Sequence, residues 1–210
     1  MPPSTEPAPA DETTRATLEA AGALDAWRFA REQHEGQLRP VVLAPFIHHP
    51  ERVAKLTAAA GGSSEMVQAA LLHDVLEDTE VEADEIERRF GSDVATMVQA
   101  LSDDPRIQDY EERKAALCAQ VREAGPDVAL IYAADKLANA RDLRAALADA
   151  GIPAEARLKV PFAVRVKIWR DDLRTCRELL GSGGLVEALE RELDALEHER
   201  EALGPAGSVH

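Results

Sequence analysis

Residues Gln68–Glu80, QAALLHDVLEDTE, separate cleanly into two halves. At about 100° per residue, Leu71, Leu72, Val75 and Leu76 fill one arc of a helix, and His73, Asp74, Glu77 and Asp78 fill the opposite arc. His73 stacks over Glu77 and Asp74 over Asp78, each pair four apart and neighbours on the helix surface. The pattern predicts one continuous amphipathic helix. A solvated face normally mixes Lys and Arg with its acids. This one carries carboxylates and an imidazole with no cation among them. Anions packed within two turns repel one another unless a cation sits between them, so the cluster points to a metal or catalytic site.

The rest of the chain is helical in pattern. Helices are expected over TRATLEAAGALDAWRFAREQHEG, PERVAKLTAAAGG, SSEMVQAALLHDVLED, EADEIERRFG, SDVATMVQALS, DYEERKAALCAQVREAG and PDVALIYAADKLANARDLRAALADAG, then from Ala154 to Leu180 and from Leu185 to Leu203. Pro50 at a first-turn position and the Gly61–Gly62 pair supply start and stop chemistry. The alternation typical of strands is absent, apart from the ambiguous RPVVLAPF. These features predict an all-α domain, a bundle of about eight to ten helices over residues 14–203. Residues 1–13, rich in Pro, Ala, Thr and Glu, are expected to be a disordered tail, and residues 204–210 a short tail. In the last helix Leu189, Leu193, Leu196 and Leu203 fall at near-heptad spacing, which fits packing on the same domain or a homodimer seam. A monomer or a homodimer is therefore expected.

At 210 residues the chain can bury a sizeable core. Lys plus Arg total 24 against 39 Asp plus Glu, a formal charge of −15. With no basic block to meet phosphates, nucleic acid polymers and anionic membranes are not expected partners. No apolar run approaches the ~18 residues needed to span a bilayer, and the N-terminus lacks the features of a secretory signal. Cys118 and Cys176 show no ligand spacing, which suits reduced thiols and a cytoplasmic location.

Two further segments offer partners to His73 and Asp74. In FIHHPERV, His48 and His49 stand at a helix N-terminus, where a protonated imidazole is disfavoured; neutral imidazole is the form a metal requires. Spacing does not choose between the two. In ALIYAADKLANARDL, Asp135, Asn139 and Asp142 share a stripe on a helix with apolar residues on several other sides. A carboxylate facing inward there must be paired, hydrogen-bonded or metal-bound; Lys136, Arg141 and Arg144 are the candidate ion-pair partners. His34 ends its helix, where the simplest role is a cation against the helix dipole. A set of His, His-Asp and Asp leaves positions open for water and phosphate and suits Mn²⁺ or a similar ion.

The order H…HD…D in an all-α chain resembles the HD-domain phosphohydrolases, and more narrowly the hydrolase domain of RelA/SpoT proteins and the small alarmone hydrolases. AALLHDVLEDT, FIHHP and ADKLANARDL carry the resemblance, which also takes in FAREQHEGQ, ERRFGSDVATMVQALSDD and ERKAAL, from about Ala26 to Leu180. It implies a metal held by His49, His73, Asp74 and Asp135, with His48 replacing the family's Asn. It implies a catalytic acidic pair at Glu77 and Asp78, a nucleobase contact at Arg39 and a sugar or phosphate contact at Asn139. The implied activity is Mn²⁺-dependent removal of the 3′-pyrophosphate of (p)ppGpp-type nucleotides. (p)ppApp hydrolysis, NADPH phosphatase activity and a non-catalytic nucleotide-binding module are the alternatives. LRPVVLAPF departs from the family's longer basic loop, with Pro40 in a Lys position, and Tyr132 stands where another Lys is usual. Trp169 keeps one member of the family's aromatic pair. The lost cations predict weak dependence on the 5′ phosphates.

Overall fold

The computed structural model describes residues 12–204. The expected N-terminal tail lies outside the described residues except for its last two positions, which are already helical. The expected C-terminal tail lies outside them beyond Gly204.

The chain is built from helices, as its patterning implies: α1 Glu12–Ala20, α2 Leu24–Gln33, α3 His48–Ala59, α4 Ser64–Leu72, α5 Val75–Asp78, α6 Ala83–Phe90, α7 Ser92–Leu101, α8 Tyr110–Ala124, α9 Pro126–Ala150, α10 Phe162–Leu180 and α11 Gly184–Ala202. Leu38–Arg39 (β1) and Ala44–Pro45 (β2) form a small antiparallel hairpin, with Leu38 opposite Pro45 and Arg39 opposite Ala44. That settles the ambiguous RPVVLAPF segment. Local chemistry sets several boundaries. The Ser63 hydroxyl accepts from Met66 N–H at 3.3 Å to open α4, and Asp109 accepts from Glu112 N–H at 2.9 Å to open α8. Pro126 opens α9, where its missing N–H costs nothing.

Three expected helices are interrupted. The first divides into α1 and α2 at Gly22, whose φ of +64° favours glycine. The run from Ala154 begins instead as a 3₁₀ turn, Ile152–Arg157, and α10 starts only at Phe162. The third break falls in the segment that opened the sequence reading: α4 ends at Leu72, and α5 restarts after His73–Asp74. His73 Nδ1 lies 2.8 Å from the carbonyl of Ala70, the acceptor that residue 74 would use in an unbroken helix. A side chain bonding back to its own turn competes with the helix ladder. The HD pair therefore sits at a corner.

Helix α9 is the centre of the fold, packed against α3, α8, α10 and α11. Val128, Ala129, Ile131, Ala133, Ala134, Leu137, Leu143 and Leu147 are all buried around it. Leu189, Leu193 and Leu196 of α11 are fully buried, and α11 packs along α9 and α10. Three of the four leucines of the heptad-like stripe are thus packed within the chain, and Leu203 is exposed. Arg144 of α9 donates to Glu192 and Glu199 of α11 and ties the same interface. Among the described residues no helix is long and apolar enough to cross a membrane, and both cysteines are free thiols, Cys176 buried and Cys118 half-buried.

Candidate active site

Three elements deliver the clustered side chains. His49 comes from the first turn of α3, His73 and Asp74 from the α4–α5 corner, and Asp135 from the middle of α9. His49 Nε2 lies 3.0 Å from Asp135 Oδ1 and 3.7 Å from Asp74 Oδ2. His73 Nε2 lies 3.3 Å from Asp74 Oδ1 and 3.7 Å from Asp135 Oδ1. One ligand atom from each of His49, His73 and Asp135 falls within 4.8 Å of the others, and all three residues are buried. Asp74 faces both imidazoles through its two oxygens. His48 turns away: its Nδ1 is 3.0 Å from Glu51 Oε2, and Glu51 in turn accepts from Trp27 Nε1–H at 2.7 Å.

This arrangement fits a cation on its own chemistry. His73 Nδ1–H donates to Ala70 O, so neutral His73 points an unprotonated Nε2 at two carboxylates, and that buried atom has no hydrogen-bond partner. Burial opposes a charge on His73, but Asp74 and then Asp135 overcome it and hold the imidazolium up to about 9. Burial keeps His49 below its ordinary value despite the Asp135 bond. Burial would raise Asp135, yet Lys136 and the two histidines hold it well below the usual carboxylate range. A pocket that binds a proton this firmly between acceptors offers a divalent cation ready-made neutralisation.

Asp135 divides its two oxygens. Oδ1 faces the histidines and accepts from Asn139 Nδ2–H at 2.5 Å, while Oδ2 accepts from Lys136 at 2.8 Å. The ion pair expected as an alternative to metal binding thus coexists with the cluster. Arg39, on the hairpin, donates to Asn139 Oδ1 at 2.6 Å and reaches Asp142 Oδ2 at 3.5 Å; Arg52 donates to the same Asp142 oxygen at 2.6 Å. The stripe Asp135–Asn139–Asp142 is therefore a continuous polar ladder from the cluster to the hairpin.

A cavity of about 540 Å³ opens above the cluster, lined by the four clustered residues, Glu77, Asp78, Arg39, Asn139 and Trp169. Glu77 keeps solvent access but is recessed in the cavity, and its Oε1 accepts from Asp103 N–H at 2.8 Å. That recession, reinforced by the Asp74 charge, raises Glu77 to about 7. The same two causes raise Asp78. One carboxyl of the pair is thus poised to exchange a proton near neutrality.

Five cavity cations were not foreseen as site residues: Arg113, Lys114, Arg157, Lys159 and Arg165. Lys114 pairs with Asp103 at 2.7 Å, and Arg157 donates to Val41 O at 3.0 Å, tying the hairpin to the segment after α9. Arg165 lies over the Trp169 ring, 5.5 Å from its centroid, with its buried Nε unpartnered. The cavity therefore holds further cations although Pro40 and Tyr132 stand at usual Lys positions. Tyr132 has a different use: its hydroxyl donates to buried Asp172 at 2.8 Å, and Lys136 sits over its ring. His34 is buried at the end of α2, stacked on Phe46 and bonded to Gln37.

A helical fold with a buried His/Asp cluster at a broken helix defines a class, and residues 26–169 match the family model described as HD domain. The chain belongs to the HD domain family, which implies a divalent metal. It is 40% identical over 128 residues to the human guanosine-3′,5′-bis(diphosphate) 3′-pyrophosphohydrolase MESH1, covering 60% of this chain and 71% of that protein. The guanosine-3′,5′-bis(diphosphate) 3′-pyrophosphohydrolase of Vibrio cholerae is 39% identical over 123 residues, 55% of this chain and 17% of that protein. Among solved structures, a metazoan ortholog of SpoT that hydrolyses ppGpp shares the fold, with a TM-score of 0.67 at 24% identity over 81% of this chain and 93% of that one. A Listeria monocytogenes protein gives 0.63 at 26% identity, over 73% and 99%.

Proposed function

We propose that this protein is a Mn²⁺-dependent hydrolase that removes the 3′-pyrophosphate of (p)ppGpp-type nucleotides, yielding GDP or GTP and pyrophosphate. His49, His73, Asp74 and Asp135 hold the metal, and residues 14–203 act as one hydrolase domain. The observation that carries the reading is the unpartnered, buried His73 Nε2 aimed at two carboxylates, directly beneath a cavity whose wall carries Glu77 and Asp78. The names of the relatives support the substrate class.

When bound, the cation supplies Lewis acidity and offsets the charge of the pyrophosphate. Glu77, anchored by Asp103 N–H, accepts a proton from the attacking water as the water oxygen bonds to the phosphorus attached at the 3′ oxygen. The bond between that phosphorus and the 3′ oxygen breaks, and the leaving oxygen takes up a proton supplied by Asp78, the other member of the acidic pair. Arg39 and Asn139 position the nucleoside, and their mutual hydrogen bond at 2.6 Å pre-orients both. The cavity cations Lys159 and Arg165 suit an anionic end of the substrate.

The test is a panel of ppGpp, pppGpp, ppApp and NADPH incubated with Mn²⁺, with products separated by ion-exchange chromatography. GDP and GTP with pyrophosphate are expected from the first two, and a chelator should stop turnover. Metal binding without cleavage of any nucleotide would leave a binding module in place of a hydrolase.

A further inference from the structure

Helix α5 is a single turn of four residues, too short to hold its own shape without outside support. It nevertheless carries the acidic pair. Glu77 is held on one side by Asp103 N–H. On the other side, Gln37 Nε2–H donates to the main-chain carbonyl of Asp78 at 2.8 Å. A carbonyl only accepts, so the amide orientation is fixed: nitrogen toward Asp78, oxygen toward His34. His34 Nδ1 lies 2.8 Å from that oxygen, so it must donate. Nδ1 therefore carries a hydrogen, and the ring's other nitrogen, Nε2, is buried without a hydrogen-bond partner. The His34 ring is locked in turn by stacking on Phe46, at 4.4 Å between centroids and 18° between planes. The two bonds therefore run in one direction only, His34 to Gln37 to Asp78.

We infer that His34 and Gln37 are positioning residues. Their directed pair of hydrogen bonds clamps the Asp78 end of α5 and sets where the Glu77–Asp78 carboxylates stand relative to the His49–His73–Asp135 cluster. The clamp bonds to none of the proposed metal ligands. Its catalytic consequence rests on the hydrolase reading; its structural consequence does not.

Substitutions that keep size and neutrality separate the hydrogen bonds from packing. Gln37→Met removes both bonds. His34→Leu and His34→Asn both remove the ring, but only Asn retains a donor in place of Nδ1–H. Loss of one such neutral bond corresponds to about 3- to 10-fold in rate. Gln37→Met and His34→Leu should lower kcat by that factor, with KM and bound metal unchanged, and His34→Asn should recover most of it. Amide hydrogen exchange over residues 75–80, measured on the metal-loaded protein, should accelerate in Gln37→Met and His34→Leu and stay slow in His34→Asn. Equal losses in His34→Leu and His34→Asn would overturn the inference, since the stacking alone would then matter. So would unchanged exchange in Gln37→Met, or metal content falling in step with kcat. Should the wild-type protein cleave no nucleotide, the hydrolase reading fails, and the exchange measurement still decides whether the clamp exists.

Discussion

Lys136 and Asp135 form a buried ion pair at 2.8 Å, each 7% exposed. At that distance an effective dielectric near 20 gives an attraction of about 6 kcal/mol before desolvation is subtracted. Burial opposes the charge on Lys136, but Asp135 and then Asp172 hold its pKa above the ordinary value, so it stays protonated throughout the accessible range. Removing one partner of a buried pair leaves an uncompensated charge, at a cost of about 3–5 kcal/mol. Lys136→Met should fall toward the lower end, because Asp135 keeps its bonds from Asn139 and the histidines. Urea denaturation in the presence of a chelator measures this, with wild type, Lys136→Met, Asp135→Asn and the double variant forming a cycle. The coupling term should be about 2–3 kcal/mol, within the range for directly bonded residues. A loss below about 1 kcal/mol for Lys136→Met, or a coupling term near zero, would refute the view that Lys136 balances Asp135.

Metal content by elemental analysis should be lost in His49→Ala, His73→Ala, Asp74→Ala and Asp135→Ala and retained in His48→Asn, since His48 bonds to Glu51 outside the cluster. Glu77→Gln should keep its metal and lose about 10²- to 10⁴-fold in kcat. In the wild type, kcat should rise with pH through the Glu77 pKa of about 7, or somewhat lower once a cation offsets Asp74, and Glu77→Gln should lack that limb. The sign for stability is opposite: a carboxyl raised on folding favours the native state while protonated, and that contribution is lost as pH rises through the same value. Arg165→Ala and Lys159→Ala should each raise KM for ppGpp by about one to two decades, the loss expected for a charge-assisted contact, and by less for a 5′-monophosphate analogue. Equal effects on both substrates would place the two cations elsewhere than at the 5′ end.

Much of the fold was legible because helix signals are local. Ser63, Pro126 and the apolar periodicities act within a few residues, and the structure follows them. The central position of α9 was legible too, from apolar residues on several of its sides. The corner at His73–Asp74 was not. Helical spacing over Gln68–Glu80 is perfect on paper, and the break comes from His73 Nδ1 bonding to Ala70 O, a choice made by the side chain that periodicity does not register. The residue order H…HD…D survives that error because it does not depend on whether the helix is continuous.

The cavity's cations illustrate a second limit. A formal charge of −15 argues against a polyanionic partner, but it is an average over the surface. Arg157 ends the 3₁₀ turn and Lys159 follows it between α9 and α10, and Arg165 lines the cavity from the start of α10, which begins at Phe162, eight residues after the expected start at Ala154. Pro40 and Tyr132 are losses visible residue by residue. The cavity's further cations Arg157, Lys159 and Arg165 lie more than a hundred residues along the chain from Pro40 and are joined to the hairpin through the Arg157–Val41 bond. They keep the cavity able to hold an anion although Arg39 is the hairpin's own cation. Specificity at the remote end of the substrate should therefore follow the Arg157–Arg165 segment, and the hairpin should contribute through Arg39 alone.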